Sequence, residues 1–417
     1  KNHFGEQMKN LKGRCVFAQS GGPTTVINAS IAGGLLEALE NDLITGVLCA
    51  HHGIKGVLDE DFFDISAEDK AELEALKYTP ASAFGSVRYK LKNPAEDDSD
   101  YRRILEVFKK YDIRYFFYNG GNDSMDTCDK VSKFMEKSGY DVNVIGIPKT
   151  IDNDLCETDH CPGYGSAAKY IANSIMEINR DASVYPSPIV IVVEIMGRNA
   201  GWLTAASKLA SVGGYGADLI YLPEIPFSYD KFLSDVKTVV DKKKYCIVAV
   251  SEGVKFAGGK YVGEDGSSVD VFGHSQLGGV CGALKSKLKN AGFKCKAVEL
   301  NILQRCAAHC ASATDIEESF GAGRHAVKFA TSGETDKMVS FKRKSDSPYK
   351  IEYVAAPLSA TANAEKKIPL EWITEDGTDL TDDFVSYALP LIAGEPSRRL
   401  KNGLPEYANL RFKKFEI

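Results

Sequence analysis

Short apolar runs, rich in β-branched and aromatic residues, recur along the chain. Each is followed by a Gly-rich or polar turn and then by a stretch whose apolar positions have helical spacing. Residues 14–19 (RCVFAQ) predict a strand, 20–25 (SGGPTT) a turn and 26–40 a helix. The pattern returns with a strand over 114–119 (RYFFYN), a turn over 120–123 and a helix over 124–137. Further strands are predicted over 142–147, 189–195 (IVIVVEI) and 245–251 (YCIVAVS), with a helix over about 201–211. Residues 337–375 have less regular spacing and predict late strands and loops over the core. The Lys242-Lys243-Lys244 run predicts the solvated end of a helix. Alternating strands and helices predict an α/β fold with a mostly parallel sheet covered on both faces. The pattern recurs before and after about residue 165, which predicts two similar doubly wound lobes.

Composition narrows the function classes. The 417 residues are 44% hydrophobic and 26% charged, ordinary for a globular protein with a large core. The net charge of −6 argues against a general nucleic-acid binder. No apolar run approaches the ~20 residues of a membrane span, and the polar opening Lys1–Gly13 lacks a signal-peptide core, so a cytoplasmic protein is expected. Ten cysteines are scattered singly and read as reduced thiols. Cys156, His160 and Cys161 form one loose cluster, and Cys306, His309 and Cys310 another, but neither has the paired spacing of a structural zinc site.

The unusual residues fall where the predicted strands end. In doubly wound folds, ligands bind beyond the carboxyl ends of strands. Gly21-Gly22 and Gly120-Gly121 would let backbone N–H groups approach phosphate oxygens at helix starts. Lys149, Thr150, Asp152, Asn153 and Asp154 crowd the segment after 142–147. A carboxylate there can serve as general base toward a sugar hydroxyl, and a neighbouring ammonium can neutralise a transferred phosphoryl group. A helix-capping loop would use the same residue types. Arg198 and Glu252 end two further strands, and Arg88 and Arg305 are guanidinium candidates for phosphate. Five such strand ends predict one shared crevice.

SGGPTTVINASI, NGGNDSMDT, PKTIDND, GYGSAAKY, VEIMGRNAGW, SEG and LQR stand in this order between about residues 14 and 330. In these segments the chain resembles the phosphofructokinase family, and most closely its short pyrophosphate-dependent branch. The resemblance implies transfer of a phosphoryl group from pyrophosphate to the 1-hydroxyl of fructose 6-phosphate, reversibly, with Mg²⁺ on the donor. It implies a donor lobe of 14–163 plus about 304–345, a sugar-phosphate lobe of 164–303 plus the C-terminal segment, and an N-terminal extension of 1–13. Asp152 matches the base, and Thr150 and Asp154 the lining of the transfer site. Met196, Gly197 and Arg198 match the segment touching sugar and phosphoryl group. Glu252 matches the sugar-binding carboxylate, Arg305 an anchor of the sugar phosphate, and Gly22 and Arg88 donor contacts. Asp123 and Lys149 stand where ATP-using relatives have Gly and a small residue. A carboxylate at Asp123 would repel a nucleotide's α-phosphate by several kcal/mol at about 4 Å in a partly dry site, and Lys149 would assist the departing phosphate.

Three positions depart from the family pattern. Asn122 replaces the metal-associated Asp, leaving Asn122 and Asp123 as the metal candidates. Ile302 replaces a His or Tyr on the sugar phosphate. Ile189 replaces a basic residue that reaches a neighbouring subunit, while Lys296 keeps a cation at a second such position. The resemblance also implies a homodimer or homotetramer. The departures leave open an ATP-dependent or sedoheptulose 7-phosphate-directed kinase of the same family, or a non-catalytic regulatory paralogue.

Overall fold

The computed structural model describes residues 11–269, 275–277, 279–362 and 364–417. Of the expected extension 1–13, residues 1–10 lie outside the described residues. The strands are β1 (Gly13–Gln19), β2 (Ile44–Ala50), β3 (Phe62–Asp64), β4 (Ile113–Gly120), β5 (Asn143–Pro148), β6 (Ile189–Ile195), β7 (Leu219–Tyr221) and β8 (Tyr245–Ser251). There follow β9 (Glu264–Val269), β10 (Ser275–Leu277), β11 (Cys295–Glu299), β12 (Lys337–Asp346) and β13 (Tyr349–Pro357).

A seven-stranded sheet has the order β13-β12-β5-β4-β1-β2-β3, parallel except for the edge pairs β2–β3 and β12–β13. A four-stranded sheet, β11-β6-β8-β7, is parallel throughout. The α/β expectation of mostly parallel sheets holds. In the larger sheet the chain leaves β1 toward β2 and later returns to β4 on the other side. The strand order therefore reverses between β1 and β4, which opens a crevice at their carboxyl ends. All seven residues of β6 are buried, six of them apolar and the other Glu194, as a strand covered on both faces requires. Each large side chain buried there contributes roughly 1.5–3 kcal/mol.

The predicted strands and helices are found with ends moved by a residue or two. Two regions differ more. Residues 201–213 form an α-turn at Trp202–Ala205 that tightens into a 3₁₀ run, Ala206–Gly213, rather than one α-helix. Within 337–375, residues up to Pro357 form a hairpin, with a register shift between Arg343 and Ser345, whose first strand joins β5 in parallel. Its exposed ends alternate, whereas Met338–Phe341 are buried consecutively against the core, and this mixture hid the strand period. The triple-Lys run does close a helix, Tyr229–Lys243, with Lys244 in the left-handed conformation.

The two sheets are tied together by long helices and by the C-terminal segment. Asp315, in the helix Ala313–Thr331, accepts the N–H groups of Gly163 and Ser166 at 3.0 Å each. It thereby caps the helix Tyr164–Ala182, which packs against the smaller sheet. Beyond β13 the chain leaves the first core at Leu358 and enters the second with Ile368, Ile373, Leu380 and Phe384. It returns to β3, where Lys413 and Phe415 share backbone hydrogen bonds with Asp64 and Phe62. No helix among the described residues is long and apolar enough to cross a membrane.

Candidate active site

The turn after β1 is held by the segment before Arg88. Gly21 donates its N–H to Val87 O at 3.3 Å, and Ser86 Oγ donates to Gly21 O at 2.6 Å. Gly21 has φ +79°, a left-handed conformation that glycine adopts without strain. Lys149 Nζ donates to Gly22 O at 2.6 Å. A Cβ placed on Gly22 would stand 3.3 Å from Arg305 Nη1 and 3.7 Å from Arg88 Nη2. Three cations from distant parts of the sequence thus meet at one Gly-Gly turn. Burial foremost pulls the Lys149 ammonium down to about 8; Asp152 opposes this, and Arg88 and Arg305 add to it. Such a cradle of like charges calls for an anion.

The segment after β5 faces this cradle. Thr150 N–H bonds Pro162 O at 3.0 Å, and Asp152 N–H bonds Thr150 Oγ1 at 3.1 Å. Asn153 is fully buried at φ +55°. Its Oδ1 accepts from Cys161 N–H and its Nδ2 donates to Tyr387 Oη, both at 2.8 Å. Burial raises the Asp152 carboxyl, against the pull of Lys149 and Arg198. Asp154 is pushed up to about 7 by burial, then by Asp152 and Glu365. At about 7, Asp154 can exchange a proton near neutrality.

The smaller sheet supplies the other wall. Gly197 N–H bonds Glu252 Oε1 at 3.1 Å, and Ser251 Oγ donates to Gly197 O at 2.6 Å. Met196 N–H bonds Gln304 Oε1 at 3.2 Å, so the segments after β6 and β8 and the one carrying Arg305 brace one another. Burial pushes Glu252 up to about 7, with the Gly197 N–H opposing and Asp152 adding. Gly253 has no room for a side chain, since a Cβ would fall 1.9 Å from Arg198 O. Asp152 therefore senses Arg198 and Glu252 from one sheet and Lys149 from the other.

Asn122 and Asp123 open the helix Asn122–Lys137, two residues earlier than the sequence pattern predicts. A carboxylate in the first turn suits the positive end of a helix. Asp123 borders a narrow hollow with Ser20, Tyr89, Lys90 and Asp126. Asn122 Nδ2 donates to Ala364 O at 3.2 Å. Arg305, expected on the sugar side, lies beside Arg88 at the Gly22 turn. Lys296 is not brought to this crevice: it is exposed on β11 opposite Ile191, with its ammonium 5.7 Å from the Tyr185 ring. Ile302 is 53% exposed and precedes the short helix Leu303–Cys306, whereas Ile189 is a core residue at the start of β6.

Neither His/Cys cluster gathers metal ligands. His160 lies between Asp159 Oδ2 at 2.8 Å and Glu318 Oε1 at 3.0 Å, and Cys306 Sγ bonds Ile302 O. Among the described residues the metal-like grouping is Glu194, Cys281 and Glu299. There Glu194 accepts the Cys281 N–H at 2.9 Å and caps the helix Val280–Asn290. Sequence reasoning missed the C-terminal neighbours of the site, namely Glu365, Lys366 and Tyr387. Only the charged triplet Glu365-Lys366-Lys367 in an irregular stretch could have drawn attention to them.

Comparison with known proteins places the chain in a family. The family model described as Phosphofructokinase matches residues 14–329. The chain is 46% identical over 400 residues to a pyrophosphate–fructose 6-phosphate 1-phosphotransferase of Halomonas elongata, covering 94% of this chain and 95% of that one. It is 32% identical over 365 residues to a sulfofructose kinase of Alkalicoccus urumqiensis, covering 87% and 92%. The crystal structure of a pyrophosphate-dependent phosphofructokinase from Nitrosospira multiformis superposes with a TM-score of 0.89 at 43% identity, covering 97% of this chain and 98% of that one. The chain belongs to the phosphofructokinase family.

Proposed function

We propose that this protein moves a phosphoryl group from inorganic pyrophosphate to the 1-hydroxyl of fructose 6-phosphate, giving fructose 1,6-bisphosphate and phosphate, and that it works in both directions. The observation that carries this is the meeting of Lys149, Arg88 and Arg305 at the Gly22 turn, within electrostatic reach of Asp152. The donor lies in that cradle. Asp152 takes the proton from the sugar hydroxyl as its oxygen bonds to phosphorus and the bridging P–O bond breaks. Lys149 meets the charge on the departing phosphate. Thr150 and Asp154 line the transfer site, and Met196, Gly197, Arg198 and Glu252 hold the sugar. Glu252 lies close to Asp152 and Arg198, as that role requires.

A divalent cation fits the oxygen-only donors here. Asp123, Asp152 and Asp154 are hard ligands, and no ready-made cage of three stands among them, which suits an ion that takes one or two carboxylates and completes its shell with phosphate oxygens. When bound, Mg²⁺ would neutralise donor charge, with Asp123 and the Asn122 amide oxygen beside it. The proposed donor lobe is 14–163 plus about 304–345, and the sugar lobe 164–303 plus the C-terminal segment. A cytoplasmic homo-oligomer is proposed, in which Lys296 serves a neighbouring copy.

The test is an assay of purified protein with Mg²⁺, fructose 6-phosphate and either pyrophosphate or ATP. Turnover is expected with pyrophosphate only, and Asp152→Asn should lower kcat by about 10²–10⁴-fold. Activity with ATP alone would overturn the donor assignment. The exposed Ile302 and the sulfofructose kinase relative favour one second reading, a different acceptor sugar. The ratio of kcat/KM for the competing sugars decides between them.

A further inference from the structure

Residues 364–368 form a strap that ties both walls of the crevice to the loop carrying Asp152. Asn122 Nδ2 donates to Ala364 O at 3.2 Å, and Trp202 Nε1 donates to Lys366 O at 2.9 Å. Ile368 N–H reaches Glu224 Oε1 at 3.2 Å. Between these anchors Lys366 grips the loop from outside. Its N–H bonds Asp154 O at 2.7 Å, and its Nζ bonds Thr158 O at 2.9 Å and Asp159 O at 2.8 Å. One residue thus holds three carbonyls of the loop that follows Asp152. The strap lies outside residues 14–329, the part that the family model matches.

We propose that Lys366 is a positioning residue for phosphoryl transfer: by holding the carbonyls of Asp154, Thr158 and Asp159 it fixes the loop that places Asp152. This rests on the assignment of Asp152 as base. The strap acts on the loop through its backbone carbonyls and not through the cradle at Gly22.

Three proteins are compared by steady-state kinetics: wild type, Lys366→Met and Lys366→Arg. Lys366→Met should lower kcat by about ten- to a hundred-fold through misplacement, with both KM values nearly unchanged. Lys366→Arg, which keeps a donor toward the carbonyls, should recover most of that loss. If Lys366→Met does not fold, Trp202→Phe, which removes the indole N–H bond to Lys366 O, should lower kcat with the same split from KM. An unchanged kcat, or a loss that falls on KM instead, would overturn the proposal. A wild type whose activity does not depend on Asp152 would instead overturn the assignment beneath it.

Discussion

At the residue scale, the site works against its own solvation. Lys149 is nearly dry and surrounded by two guanidiniums, so its proton leaves at about 8. The Asp152–Asp154 pair is raised for the opposite reason, because burial penalises carboxylates as anions. The base must be ionised and the lysine protonated, so kcat/KM should be bell-shaped. It falls in acid as the Asp152 carboxyl, held above its ordinary range by burial, takes up its proton, and again as pH rises through about 8, where Lys149 loses its own. Lys149→Arg should keep activity further into alkali, and Lys149→Met should abolish the alkaline limb while lowering kcat. An alkaline limb that persists in Lys149→Met would assign it to another group. Asp152, Lys149, Arg198 and Glu252 are legible in the sequence because each follows an apolar strand. Lys366 is not, because it acts from a segment with no period, through backbone carbonyls that any sequence possesses.

At the element scale, the strands with long apolar runs, β6 and β8, are legible to the residue. The hairpin β12–β13 is not, because its two ends meet different environments. Also invisible in the sequence is how closely two helices cross. In Ile27–Leu39 and Ala313–Thr331, a Cβ on Gly33 would stand 2.0 Å from Phe320 O, and one on Gly323 would stand 1.8 Å from Ser30 O. The backbones touch, so only hydrogen fits between them. Gly323→Ala must separate the helices, and with them the Asp315 cap on Tyr164–Ala182. Overpacking of this kind costs about 1–3 kcal/mol, or more where backbone is the obstacle. Thermal unfolding of Gly323→Ala should begin several degrees below wild type. An unchanged midpoint would mean that the crossing can relax freely.

At the scale of the whole molecule, the loop bearing Asp152 is the junction of otherwise separate parts. His160 stands in that loop between Asp159 and Glu318 of the helix Ala313–Thr331. Tyr349 of β13 donates to Glu318 Oε2 at 2.8 Å, and Arg343 of β12 pairs with Asp159 at 2.9 Å. Tyr387 Oη, from the helix Asp382–Ala388, bonds Asp159 O at 2.7 Å and receives the Asn153 amide. Hairpin and helix therefore reach the loop through one ionic group around His160 and Asp159, and the C-terminal segment through the Tyr387 hydroxyl beside it. Burial alone would lower His160, but Glu318 and Asp159 outweigh it and hold the imidazolium above its ordinary range. Asp159 is held low by His160 and Arg343 against burial, so it stays ionised throughout neutral pH. A raised histidine contributes its stability in full below about 6.5, its unfolded value, and loses it as pH climbs through the folded value. The midpoint of thermal unfolding should therefore fall from pH 6.5 upward in wild type and change less over the same range in His160→Gln. Because the network ends at Asn153, beside the base, the same rise in pH should loosen the loop before the molecule unfolds. Protease cleavage within 153–161 should accordingly speed up in alkali in wild type. In His160→Gln it should already be fast at pH 6.5. Equal slopes in the two proteins would show that the charge on His160 holds nothing together, and that Arg343 and Tyr387 anchor the loop without it.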